Sequence, residues 1–83
     1  MDEIIKSLLP AVDEQLQSPD TQFVKETYQR LLKEPDIDDA EARNMIAFCL
    51  ADEMERMVLD QSDFDKKRYQ TLLDLLPTMP EKG

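Results

Sequence analysis

The sequence predicts an all-α protein, a compact bundle of about four helices with a long central third helix. Three observations carry this: helix-forming residues dominate, apolar residues recur at spacings of three and four, and the only glycine in 83 residues is the terminal Gly83. The five prolines sit mostly where helices could start or stop. Four helical segments are expected, 2–17, 19–33, 39–59 and 66–76. The length suits a single domain, placed at 1–77 with 78–83 as a flexible tail. A hydrophobic fraction of 41% argues against disorder in spite of the charge.

In the first segment Ile5, Leu8, Leu9, Val12 and Leu16 form an apolar stripe that runs straight through Pro10. Proline kinks or splits a helix, and the unbroken stripe favours one bent helix over two short ones. Ser18-Pro19-Asp20 then reads as an N-cap, a first-position proline and a first-turn acid. It opens the second segment, with Val24, Tyr28, Leu31 and Leu32 on one face, Phe23 beside them, and Pro35 as its stop.

Asp38 and Glu41 have capping-box spacing and open the longest segment. Helical projection puts Ala42, Ile46, Cys49, Leu50 and Met57 on one face and Phe48, Ala51 and Leu59 nearly opposite. Such a helix is either sandwiched within a bundle or keeps one face for a partner, and sandwiching is the favoured expectation. In the last segment Asp65 is the expected N-cap, with Phe64 packing on Tyr69 as a hydrophobic staple. Leu72, Leu73 and Leu76 follow before Pro77 ends the helix.

The composition also excludes chemistry. With no histidine there is no histidine-dependent nucleophile system, imidazole metal ligand or histidine-bearing di-iron site. With no internal glycine there is neither a Walker A loop nor a dinucleotide fingerprint. Asp36, Asp38 and Asp39 begin like an EF-hand loop, but Glu41 and Ala47 stand where glycine and glutamate are required. No cofactor and no enzymatic activity are expected. The single Cys49, on the apolar face, reads as a small core hydrophobe in a reducing compartment. The amino terminus carries acids where a secretory signal carries positive charge, and no apolar run is long enough to span a membrane. A cytoplasmic protein is the expectation.

The net charge is −9, and residues 36–65 carry −8 of it, with ten acids against Arg43 and Arg56. Nucleic acid and anionic membranes are therefore disfavoured as partners, and a protein with a basic surface is favoured. Caps and a solvated face are the simpler use of these acids. Lys66-Lys67-Arg68 opposes the helix dipole at the start of the last segment, so Asp60, Asp63 and Asp65 are its expected compensation, with a bound anion as the other reading. Glu53 projects onto the core face between Ile46, Leu50 and Met57. There it is expected to bond a tyrosine hydroxyl or an arginine, with Tyr28, Tyr69, Arg30 and Arg68 as the candidates.

Glu41-Ala42 opening a helix, Ile46 and Leu50-Ala51 continuing it, Glu53 in its middle, and then Phe64-Asp65, Tyr69, Leu72-Leu73 and Leu76-Pro77 form a pattern. It resembles small, acidic, all-helical bacterial proteins of unassigned function. The resemblance implies an architecture and carries over no catalytic residue. The functional expectation is a non-enzymatic protein-protein interaction or regulatory module. Its binding surface would draw on Asp52, Glu55, Asp60 and Asp63, with Phe48 and Leu59 as apolar anchors. The alternative is a homodimer packed through the second apolar face of the third helix.

Overall fold

Four α-helices and one short 3-10 turn make up the computed structural model of the chain, which describes residues 3–78. The helices are α1 (Glu3–Gln17), α2 (Gln22–Leu32), α3 (Asp39–Asp60) and α4 (Lys66–Leu75), and the described residues contain no strand. Asp2, at the start of the first expected segment, and 79–83 of the expected tail lie outside the described residues. None of the helices is long and apolar enough to cross a membrane.

The first segment is one helix running through Pro10. Proline removes the amide that would bond the carbonyl of Lys6, and both residues lie on the exposed face, where water can replace it. The buried side is led by Ile5 and Val12.

The second expected segment, 19–33, divides. Ser18 Oγ accepts a bond from the Asp20 amide, as the N-cap reading requires, but the turn Pro19–Thr21 is 3-10. Thr21 then breaks helical geometry at φ −128°, ψ 42°, and its hydroxyl donates to the Gln15 carbonyl at 2.7 Å. That tether fixes the corner between α1 and α2, so the α-helix starts only at Gln22. It ends at Leu32, with Lys33 as its C-cap.

Asp38 caps α3 by accepting the Glu41 amide at 2.8 Å. At the other end Gln61 takes the left-handed conformation at φ 52°, and the Ser62 amide donates to the Met57 carbonyl at 3.1 Å. This is the closing turn in which glycine is usual, here made by glutamine in a chain with no internal glycine. Asp65 caps α4 by accepting the Arg68 amide at 3.0 Å, and the Phe64 and Tyr69 rings meet edge to face at 5.5 Å. The helix stops at Leu75, one residue before the expected 76, because Leu76 is extended ahead of Pro77.

α2 and α3 each pack against the three other helices, and α3 does so most extensively, above all against α1, which makes it the centre of the bundle. Val12, Val24, Leu31, Ile46, Cys49 and Leu73 are fully enclosed around it. Burial raises the Cys49 thiol to about 12, so near neutrality it is a protonated core group. The Tyr69 hydroxyl spans from α4 to α1 and donates to Gln15 Oε1 at 2.7 Å. Arg30 of α2 donates to the carbonyls of Leu73 and Leu76 at 2.9 and 2.6 Å, which places a cation at the negative end of α4. The radius of gyration, 12.1 Å, matches the roughly 12 Å of a packed chain of this length.

The second apolar face of α3 is neither wholly sandwiched nor wholly free. Phe48 and Ala51 are half-buried, whereas Leu59 is exposed.

Candidate interaction surface

The C-terminal half of α3 has two sides of opposite character. One side is organised by Glu53, which is 0% exposed. Arg56, one turn along the same helix, grips it with two bonds, Nε to Oε1 at 3.0 Å and Nη2 to Oε2 at 2.6 Å. Arg68 Nη1 donates to Oε1 at 2.9 Å and the Asp65 amide to Oε2 at 2.7 Å. A carboxylate enclosed in this way keeps its charge because every lone-pair direction meets a donor. The Arg56 bonds, aided by those from the Asp65 amide and Arg68, outweigh burial and hold its pKa at about 2.

The network extends outward. Arg68 Nη2 donates to Asp52 Oδ2 at 2.8 Å, and Arg56 also reaches Ser62 Oγ and the Asp63 carbonyl, each at 2.9 Å. Asp60 lies 3.4 Å from Arg56. Burial opposes the Arg68 charge, yet its bonds to Asp52 and Glu53 prevail and raise its pKa. The hub therefore fastens the 61–65 connection and the start of α4 onto α3.

Two expectations are corrected here. Arg68 does partner Glu53, but Tyr28, Tyr69 and Arg30 do not, because each is held elsewhere: Tyr28 by Asp39, Tyr69 by Gln15 and Arg30 by the end of α4. The principal partner, Arg56, was absent from the expected set, although its i+3 spacing from Glu53 was the signal for it. Nor do the side chains of Asp60, Asp63 and Asp65 neutralise the basic trio. Arg68 turns inward to Asp52 and Glu53, while Lys66 bonds the Asp20 carbonyl and lies over the Phe23 ring.

Much of the acidic stretch is thus engaged within the fold. Asp38 and Asp65 serve as caps, Asp52 and Glu53 hold arginines, and Asp39 meets both Arg43 and Tyr28. Arg43 further pairs with Asp13 of α1. Asp63 enters the network through its carbonyl, and its residue is exposed, as are Glu55 and Asp60. Among the described residues no cluster of three or more metal-ligating side chains forms.

The other side of α3 is apolar and open. Ile4 and Ile5 of α1 face Phe48, Ala51, Met54, Glu55 and Val58 of α3 across a cleft of about 300 Å3. Its edges are large apolar side chains in contact with water: Ile4 is 60%, Met54 43% and Val58 77% exposed. Glu55 separates this cleft from a second depression lined by Leu59, Asp52, Asp60, Arg56 and Arg68, and Leu59 there is 73% exposed. Ile4, Met54 and Val58 were not among the expected binding residues; Val58 lies seven residues after Ala51, a helical spacing that placed them on one face. A larger depression of about 650 Å3, where α1 meets α2, is lined mainly by polar groups such as Gln17, Gln22, Lys25 and Gln29.

No family model, curated protein or solved structure matches the chain.

Proposed function

We propose that the chain is a small, non-enzymatic protein-protein interaction or regulatory module of the cytoplasm that engages a partner with a basic surface. The observation that carries this reading is the exposure of Ile4, Met54 and Val58 around one cleft and of Leu59 in the neighbouring depression, the last three within the acidic 36–65 stretch. Single exposed apolar residues are ordinary, but several grouped and edged by charge have the composition of a recognition surface. The exposed Glu55, Asp60 and Asp63 supply the charge, Leu59 an apolar anchor, and the half-buried Phe48 a wall of the cleft. Glu53, with its pKa held at about 2 between two guanidinium groups, is poorly suited to proton transfer near neutrality. Its role in this reading is to fix the shape of the surface.

A homodimer through the second apolar face of α3 is the second reading, favoured by the exposure of Val58 and Leu59. Two copies each carrying −9 repel one another, which ranks it lower.

The test is capture of partners from lysate of the source cells by the tagged chain at low and moderate salt, alongside Glu55→Lys and Leu59→Ser variants. A discrete partner lost as salt rises and lost with Glu55→Lys supports acidic-surface binding. No partner at either salt, together with a dimeric mass by light scattering, moves the reading to the homodimer.

A further inference from the structure

The Arg56 guanidinium has every donor committed. Nε and Nη2 go to Glu53, Nη2 also to the Asp63 carbonyl, and Nη1 to Asp60 and Ser62 Oγ. That accounts for all five of its N–H groups. Arg56 and Arg68 together hold three carboxylates, Asp52, Glu53 and Asp60, so the hub already carries more negative charge than positive. Ser62 lies at its edge. It sits in the exposed, non-helical 61–65 connection, its oxygen accepts from Arg56 Nη1 at 2.9 Å, and its hydroxyl proton has no acceptor among the described residues. Ser7, Thr21, Thr27 and Thr71 instead donate to carbonyls, and Ser18 caps a turn. Among the described residues Ser62 is the one serine or threonine bonded to an arginine. The exposed side chain of Asp63 follows it directly.

We propose that Ser62 is a phosphoacceptor for an ATP-dependent protein kinase with a basic substrate groove, and that its phosphate loosens the 61–65 connection and the start of α4 from α3. In the transfer the Ser62 oxygen bonds to the γ-phosphorus of ATP, the bond from that phosphorus to the β,γ-bridging oxygen breaks, and ADP leaves. The hydroxyl proton passes to a carboxylate base of the kinase. Asp63 beside the acceptor is what a basic groove complements. A phosphoserine brings about −1.5 to −2 charges and three acceptor oxygens. Those oxygens compete for a guanidinium with no spare donor, and the new charge stands against Asp60, Asp63 and Glu53. An Arg56 drawn toward the phosphate leaves Glu53 short of donors in an enclosed site. The connection and the first turn of α4 bear the loss, because Glu53 is what holds the Asp65 amide and Arg68. The proposal is independent of the partner-binding reading.

The test has two parts. In the first, the chain purified from its source cells, and the parent chain incubated with extract of those cells, magnesium and ATP, are mapped by mass spectrometry. Phosphate on Ser62 is expected, and none at that position in a Ser62→Ala chain. Phosphate confined to other residues, or to none, overturns the site. In the second, the full chain made with phosphoserine at position 62 is compared with the parent by amide hydrogen exchange and urea unfolding. The Asp65 amide, which donates to Glu53, is expected to exchange at least about tenfold faster, with a lower urea midpoint and a smaller change in the middle of α1. Added salt should narrow the difference, as repulsion between charges requires. Ser62→Ala should exchange like the parent at Asp65, which separates the added charge from the lost hydroxyl. Unchanged or slower exchange of Asp65 in the phosphorylated chain overturns the loosening, because the phosphate would then spare the hub or clamp it.

Discussion

Within one stretch of α3 a carboxylate is enclosed while Met54, Val58 and Leu59 are open to water. Glu53 is sealed by Arg56, Arg68 and the Asp65 amide, whereas its neighbour Met54 and, four residues on, Val58 stand at the edge of a cleft. The difference lies in what packs alongside. The 61–65 connection and α4 lie over the Glu53 side and bring two donors that join the two from Arg56, while among the described residues it is the first turn of α1 that approaches the Met54 side. Burial in this bundle follows the position of neighbouring elements, and polarity yields where the partners suffice.

The largest expected effect breaks the bonded side. Glu53→Ala leaves two arginines facing a void where their carboxylate stood, and a loss of about 3 kcal/mol or more in urea unfolding is expected. Glu53→Gln, which keeps the shape, should cost less, and a change below roughly 0.5 kcal/mol would show that the charge contributes nothing.

Acid reaches the same group without mutation. The Glu53 pKa is lowered on folding from 4.5 to about 2, so its contribution is fully present above the unfolded value and is lost as pH falls from about 4.5 through 2. The loss should be on the order of 3 kcal/mol, measured as the pH dependence of the urea midpoint, and Glu53→Gln should flatten the curve over that window. An unchanged pH profile in that variant would sink the assignment.

Asp65→Ala sharpens the comparison by removing the α4 cap while keeping the amide that bonds Glu53. A cost of about 1 kcal/mol is expected from thermal unfolding. Gln61→Gly should act in the opposite direction, stabilising by about 0.5 kcal/mol or more, because glycine takes the left-handed conformation without a side-chain clash. The smallest effect belongs to the open side: Val58→Ser should leave stability within about 0.5 kcal/mol of the parent. A larger loss would mean that Val58 supports the core and that the two sides are less distinct than their exposures indicate.

The local signals in the sequence were strong where one short segment decides the outcome. Ser18, Asp38 and Asp65 each accept an amide at the expected helix start, Phe64 meets Tyr69, and Pro77 ends α4. The apolar periodicity placed Ile46, Cys49 and Leu50 in the core for the same reason: residues three and four apart share a helix face whatever surrounds them. Less was legible at Thr21, where a side-chain bond across the corner to Gln15 delays the second helix. The site was legible only in part. Glu53 stood out as a carboxylate on an apolar face, but choosing among arginines and tyrosines required knowing which of them already had partners.

Helix number, the main caps, the identity of the central helix and the concentration of acid in residues 36–65 follow from the sequence by itself, because each depends on spacing or composition within a few turns. Tertiary structure decided the rest: that Arg56 and Arg68 converge on Glu53, that Arg30 serves the end of α4, and that one side of α3 stays open beside Ile4. Those outcomes depend on where distant segments come together, and a helical projection fixes only the direction in which a side chain leaves its own axis.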